Sequence, residues 1–195
     1  MKDIAVDEAA IARLASENER LRKALAEMQD RVVELEQLAD TDTLTPLPNR
    51  RAFMRRLEAV VQYASRHNTP AAILYIDLDG LKPINDDYGH VAGDAVLLHL
   101  AQLLTENLRA TDMVARIGGD EFGLILDHLN EADARAKAKA LVEHVSTQRV
   151  AVGRSTITIR VTVGLAMVRA NETVASLLER ADAAMYANRH HRSQI

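Results

Sequence analysis

The stretch Arg116-Ile117-Gly118-Gly119-Asp120-Glu121-Phe122 decides how this chain is read. It lies between two apolar segments, Met113-Val114-Ala115 and Gly123-Leu124-Ile125-Leu126. Apolar runs on either side of a glycine pair predict a β-hairpin, because glycine tolerates the positive φ that tight hairpin turns require. The two acids are then delivered at a turn. Gly118 and Gly119 carry no Cβ, so backbone there can approach a bulky group closely, while Asp120 and Glu121 offer oxygen ligands to a hard cation such as Mg²⁺. That combination suits a nucleotide phosphate with its metal. An ordinary hairpin with a solvated acidic corner is the plainer reading of the same residues, and the rest of the chain has to choose between them.

Composition sets bounds on that choice. The chain has 195 residues, of which 48% are hydrophobic and 27% charged, enough for one globular domain and an appendage. Its formal net charge of −4 argues against a protein that coats nucleic acid or an anionic membrane, since both favour a basic excess. Any anionic ligand must be met locally. The absence of cysteine excludes disulfides and thiolate metal sites. The opening Met-Lys-Asp-Ile-Ala-Val-Asp has no apolar core of signal-peptide length, and no run of about 18 apolar residues occurs. A soluble, cytoplasmic protein is expected, with no nucleic-acid or membrane partner.

Residues 1–39 form a separate segment, expected to be a coiled-coil dimerisation helix. They lack Gly and Pro, and Ile4, Ile11, Asn18, Leu25, Val32 and Ala39 fall at heptad position a, with Asp7, Leu14, Leu21, Met28 and Leu35 at d. Branched residues at a with Leu at most d positions favour two parallel strands, and a single Asn at a favours dimer and register. Across a parallel pair, Glu17 would face Arg22, and Arg31 would face Glu36. A lone amphipathic helix lying on its own domain is the alternative.

The coil stops at Asp40-Thr41-Asp42-Thr43, and Pro46 and Pro48 follow. Asn49 is a candidate N-cap for a helix to about Arg66, and Ala71 to Ile76 reads as a short buried strand. That strand delivers Asp77 and Asp79 to a polar loop rich in turn formers. A helix with apolar stripe Leu97, Leu100, Ala101, Leu104 and Leu108 starts near Asp94, which would serve as its N-cap in the plainest reading. After the hairpin, a helix over Ala132 to Ser146, a strand-like segment from Thr156 to Val168 and a helix over Val174 to Arg189 complete residues 40–195. The expected class is α/β, one sheet covered by helices. Asp77 and Asp79 beside Gly80, with Lys82 just beyond, could hold a metal and a phosphate chain, or be a solvated loop.

Taken together, the motifs reach a family. Asp77-x-Asp79-x-Leu81-Lys82-x-Ile84-Asn85-Asp86-x-Tyr88-Gly89-His90-x-x-Gly93-Asp94, followed by the glycine-acid hairpin, closely resembles the GGDEF family of diguanylate cyclases. Asp42-x-Leu44-Thr45-x-Leu47-x-Asn49-Arg50-Arg51 is similar to that family's opening motif, and Ala181-Asp182-x-Ala184-Met185-Tyr186 to its closing helix. The resemblance covers about Asp40 to Arg192. It implies a GGDEF domain whose central, mostly antiparallel five-stranded sheet is flanked by helices, in the manner of nucleotidyl cyclases and polymerase palms.

The resemblance also implies a reaction: two GTP condense to cyclic di-GMP, each 3′-hydroxyl attacking the other's α-phosphate with loss of pyrophosphate. Carried over by position, Asp77, Asp120, Glu121 and the Leu78 carbonyl would ligate Mg²⁺ or Mn²⁺. Asp120, Glu121 and Lys82 would carry the chemistry, and amides around Gly80 and Leu81 would grip the outer phosphates. Asn85 and Asp94 correspond to the guanine readers, a carboxylate suiting guanine's adjacent N1–H and amine as adenine does not. His90 would assist the nucleotide, Leu44 would line the base pocket, and Arg189 keeps a phosphate-facing charge.

Arg109-Ala110-Thr111-Asp112 stands at the spacing of the family's RxxD product-inhibition site, with Arg135 a candidate third member. The chain departs from the family pattern at Pro46 (usually glycine), Leu81 (usually phenylalanine), Arg160 (usually threonine) and Ser193, which stands where the family carries an arginine. The expected function is a metal-dependent, product-inhibited diguanylate cyclase acting as a coiled-coil homodimer. The alternative is a catalytically silent member that receives cyclic di-GMP through Arg109 and Asp112.

Overall fold

The computed structural model describes residues 8–106, 108–153 and 155–192, with the side chains of 8–9, 33–39 and 191–192 also outside the description. The chain divides into two compact units, Met1–Ala39 and Asp40–Ile195. Helix α1, Glu8–Asp40, runs unbroken for 33 residues, as a segment without Gly or Pro allows. Its heptad residues Ile11, Leu14, Leu21, Leu25, Met28 and Val32 are 53–70% exposed. Glu17, expected to meet Arg22 of a partner, accepts a hydrogen bond from Arg20 of its own helix at 2.9 Å. Ile4 and Asp7, and the side chains of Leu35, Glu36 and Ala39, lie outside the described residues.

The second unit begins with the expected cap. Asn49 Oδ1 accepts from the Arg51 and Ala52 amides at 3.0 and 3.2 Å, starting α2 at Arg50–His67. Helix α2 buries Phe53, Leu57, Val60, Val61 and Ala64. Strand β1, Ala71–Leu78, follows, and is buried along nearly its whole length. Helices α3 (Leu81–Tyr88) and α4 (His90–Glu106) lead to the hairpin of β2 (Met113–Arg116) and β3 (Glu121–Asp127). Helix α5 (Glu131–Thr147), the short strands β4 (Arg149–Val152) and β5 (Ser155–Thr158), strand β6 (Val161–Met167) and helix α6 (Val174–Arg192) complete the unit.

The central sheet is antiparallel throughout, in the order β2-β3-β1-β6. Its two faces belong to different cores, which explains the uninterrupted apolar run of β1. Leu74, Ile76 and Leu78 pack with Phe122, Leu124 and Leu126, under Leu100 and Leu104 of α4. Ile73, Ile125 and Ala166 pack on the other side against Phe53 and Leu57 of α2 and Leu177 and Ala181 of α6.

Five expectations are corrected. Among the described residues the main sheet has four strands, not five, and β4-β5 forms a separate two-stranded sheet. Beyond β2 there is only a single bridge between Asn49 and Arg116, where the Arg116 amide donates to the Pro48 carbonyl at 2.9 Å. Pro46 and Pro48 lack amide donors, so this segment cannot extend into a ladder. The expected strand over 156–168 is broken at Ile159 and Arg160, because β5 serves β4 while β6 serves β1. Residues 81–88 are helical rather than loop, and α4 starts at His90, so Asp94 lies within the helix and does not cap it. Finally, Gly118 and Gly119 do not adopt positive φ. A Cβ on Gly118 would meet the end of the Glu121 side chain, which would have to turn aside.

Candidate active site

The sheet register places the acids. Asp77, at the end of β1, pairs with Glu121 of β3 on one side and Thr162 of β6 on the other. The Leu78 amide donates to the Asp120 carbonyl at 3.0 Å, and the Asp79 amide to the Arg160 carbonyl at 2.9 Å. Thr162 Oγ1 donates to Asp79 Oδ1 at 2.7 Å. The end of β1, the glycine-acid turn and the start of β6 are thereby tied together.

Asp77 is buried, and its carboxylate forms an ion pair with Arg189 of α6. Burial pushes its pKa up to about 6; Arg189 opposes this, while the negative charges of Asp120, Asp79 and Glu121 add to it. One arginine does not balance the local negative charge. Among the described residues no group of three or more acidic or histidine side chains converges into a ready metal cage. The donor chemistry nevertheless fits a divalent cation, since hard carboxylate and carbonyl oxygens predominate and a cation would relieve the repulsion acting on Asp77.

Two adjoining clefts meet at this point. One, of about 480 Å³, is lined by Asp77, Asp79, Gly80, Lys82, Asp120, Arg160, Thr162 and Arg189, with Leu78, Leu81 and Pro83 completing its wall. The N-terminus of α3 opens into it. Gly80 occupies the N-cap with φ 79 and supplies no side-chain cap, so the first amides of the helix are open to an anion. The second, of about 550 Å³, is lined by Asn85, Asp86, His90, Asp94, Leu97, Arg116 and Gly119 and shares Leu81, Lys82 and Asp120 with the first. Asn85 sits closely over Gly93, where a Cβ would strike its Oδ1.

Of the expected site residues, Asp77, Leu78, Gly80, Leu81, Lys82, Asn85, His90, Asp94, Asp120 and Arg189 line the two clefts, whereas Glu121 pairs with Asp77 across the sheet and lines neither. Leu44 is partly buried and packed on the core, and is not among the side chains that line the two clefts. Arg116, the first residue of the glycine-acid motif, has a structural role. Its guanidinium donates to the Gly119 carbonyl at 2.7 Å and to Asp42 Oδ1 at 3.1 Å, joining the turn to the opening motif. Only the pairing across 74 residues reveals this, and no local pattern in the sequence announces it.

Arg109 and Asp112 form a separate locus. The Arg109 amide donates to Asp112 Oδ2 at 3.1 Å, and Lys137 of α5 pairs with the same oxygen at 2.6 Å. The Asp112 side chain is 2% exposed. Arg109 and Lys137 line a mainly apolar cleft of about 640 Å³ between α4 and α5. Arg135, the candidate third member, instead pairs with Glu131 along its own helix. Lys137 lies 25 residues from Asp112 in the chain, so no local pattern announces the pair.

Comparison with known proteins identifies this architecture as that of a nucleotide cyclase domain. Residues 39–194 match the family model for the diguanylate cyclase GGDEF domain. The chain belongs to the GGDEF diguanylate cyclase family. It is 43% identical over 154 residues to the bifunctional diguanylate cyclase/cyclic di-GMP phosphodiesterase MucR of Pseudomonas aeruginosa, covering 78% of this chain and 22% of MucR. It is 39% identical over 190 residues to the diguanylate cyclase TpbB of the same species, covering 93% of this chain and 44% of TpbB. The chain therefore spans less than half the length of these curated relatives. A crystal structure of the coiled coil and GGDEF domain of DgcB from Caulobacter crescentus, in complex with c-di-GMP, is 29% identical with a TM-score of 0.77, covering 94% of each chain.

Proposed function

We propose that this chain is an active diguanylate cyclase that condenses two GTP into cyclic di-GMP and two pyrophosphates, working as a homodimer. The meeting of two chemically different clefts at Asp120 carries this reading. One offers an uncapped helix N-terminus and cations for a phosphate chain; the other offers Asn85 and Asp94 for a base. Asp94 accepts guanine's N1–H and amine together, and Asn85 meets the remaining edge with one donor and one acceptor. Lys82 and the amides following Gly80 take the outer phosphates. Each 3′-oxygen bonds to the opposing α-phosphorus as the bond to the departing pyrophosphate breaks, and Asp120 is the carboxylate offered for the hydroxyl proton. Asp77, Asp120, Glu121 and the Leu78 carbonyl would hold Mg²⁺ or Mn²⁺, which polarises the α-phosphate and lowers the pKa of the attacking hydroxyl.

One nucleotide site holds only half of the product. The exposed heptad stripe of α1 supports a parallel coiled-coil dimer in which Asn18 fixes register. Pairing the helices raises the effective concentration of one half-site at the other. Arg109 and Asp112 are proposed to bind cyclic di-GMP as an inhibitor, Asp112 being shared with Lys137. The intact acids and base readers favour catalysis over a receptor role.

Incubation with GTP and Mg²⁺, followed by mass analysis, tests the activity. Cyclic di-GMP is expected; a dimeric sample that makes none overturns the proposal. Arg109→Ala is expected to raise the late yield, and progress curves identical to wild type would remove the inhibitory role.

A further inference from the structure

Arg160 is one of the positions at which the chain departs from the family pattern, and the fold puts it beside the candidate phosphate cleft. It occupies the break between β5 and β6, just before Val161. Its carbonyl accepts the Asp79 amide at 2.9 Å, which fixes its backbone next to the turn that opens α3. The side chain is exposed, lines the 480 Å³ cleft, and forms no hydrogen bond or ion pair among the described residues.

The charge pattern of that cleft gives the side chain a task. Asp77, Asp79 and Asp120 line it together with Lys82, Arg160 and Arg189. Arg189 is committed to Asp77, so a polyphosphate entering the cleft meets Lys82 and Arg160 as cations that no described carboxylate engages. A guanidinium presents parallel N–H donors that match two oxygens of one phosphate group, which an ammonium cannot reproduce. The open amides at the N-terminus of α3 lie along the same wall.

We infer that Arg160 is a binding residue for the terminal phosphates of the nucleotide, a specificity element for triphosphate over monophosphate. The inference rests on the cyclase reading, because it requires a guanine nucleotide in these clefts. Its contribution adds to that of Lys82 and the α3 amides and leaves the base contacts at Asn85 and Asp94 unaffected.

Calorimetric titration with 3′-deoxy-GTP and with GMP, in Mg²⁺, tests it without turnover. Arg160→Ala is expected to weaken 3′-deoxy-GTP binding about tenfold or more, as loss of a charge-assisted contact does, with GMP binding unchanged. Arg160→Lys should recover only part of the loss. If wild type binds both nucleotides and Arg160→Ala matches it for both, the role of Arg160 is refuted while the cyclase reading stands. Equal weakening of both ligands would indicate a structural role and also refute it. Wild type that binds neither nucleotide would overturn the cyclase reading and this inference together.

Discussion

At the scale of single residues, Asp77 concentrates the tension of the site. Its folded-state pKa is raised to about 6. A carboxyl whose pKa is higher folded than unfolded holds its proton more tightly in the native state. In metal-free protein its contribution therefore favours folding below about pH 4 and is lost as pH rises toward 6. Asp77→Asn removes a poorly solvated charge whose partner, Arg189, is itself 44% exposed. We expect this variant to stabilise metal-free protein at neutral pH by about 1–2 kcal/mol and to abolish the increase in Tm caused by Mg²⁺. Retention of a wild-type Mg²⁺ shift in thermal melts would refute the metal role. Asp94 makes a different prediction. It is exposed and within α4, so Asp94→Asn should fold normally but weaken GTP binding by about tenfold to a hundredfold, because an amide cannot accept both guanine donors. Competition by ATP against GTP reads this directly, and unaltered selectivity would count against the base assignment.

At the scale of elements, α3 shows where local signals mislead. The run Leu81-Lys82-Pro83-Ile84-Asn85-Asp86-Asp87 looks like loop, yet Pro83 is the third helical residue, where its missing amide has no carbonyl to meet. The Ile84 amide makes the first bond, to the Gly80 carbonyl at 3.2 Å. The hairpin was legible because its apolar flanks are long, but its attachment to the opening motif was not. Arg116 reaches both Asp42 and the Gly119 carbonyl while nearly buried. Arg116→Lys cannot span both acceptors with one point charge, so we expect a loss of about 1–2 kcal/mol in chemical unfolding, with little advantage over Arg116→Ala. Full rescue by lysine would show that charge alone suffices.

At the scale of the whole molecule, acid stability and assembly are the measurable quantities. Burial works against the charged form of Asp42, but the Thr45 amide and hydroxyl and the Arg116 guanidinium outweigh it and hold its pKa below the ordinary value. Burial likewise works against the charged form of Glu172, and Arg180 with the Arg169 amide outweighs it and holds its pKa down. For both, the stabilisation is present above the ordinary carboxylate range near pH 4 and lost as pH falls through the lower folded values. Tm should therefore drop below pH 4, and the drop should be smaller in Glu172→Gln. For assembly, Leu14→Glu with Leu21→Glu should give monomers in analytical ultracentrifugation and at least a tenfold loss of cyclic di-GMP synthesis at micromolar protein, with GTP binding per chain retained. Undiminished synthesis by monomers would refute the dimer requirement. The sequence by itself determined the family, the long N-terminal helix and the turn that carries Asp120 and Glu121, because those signals reside in residue type and short-range spacing. The tertiary structure alone decided the strand count, the helical state of residues 81–88, the Arg116 bridge, the Lys137–Asp112 pair and the position of Arg160 over the phosphate cleft. Each depends on groups distant in the chain being brought together by packing on a sheet, which no local pattern encodes.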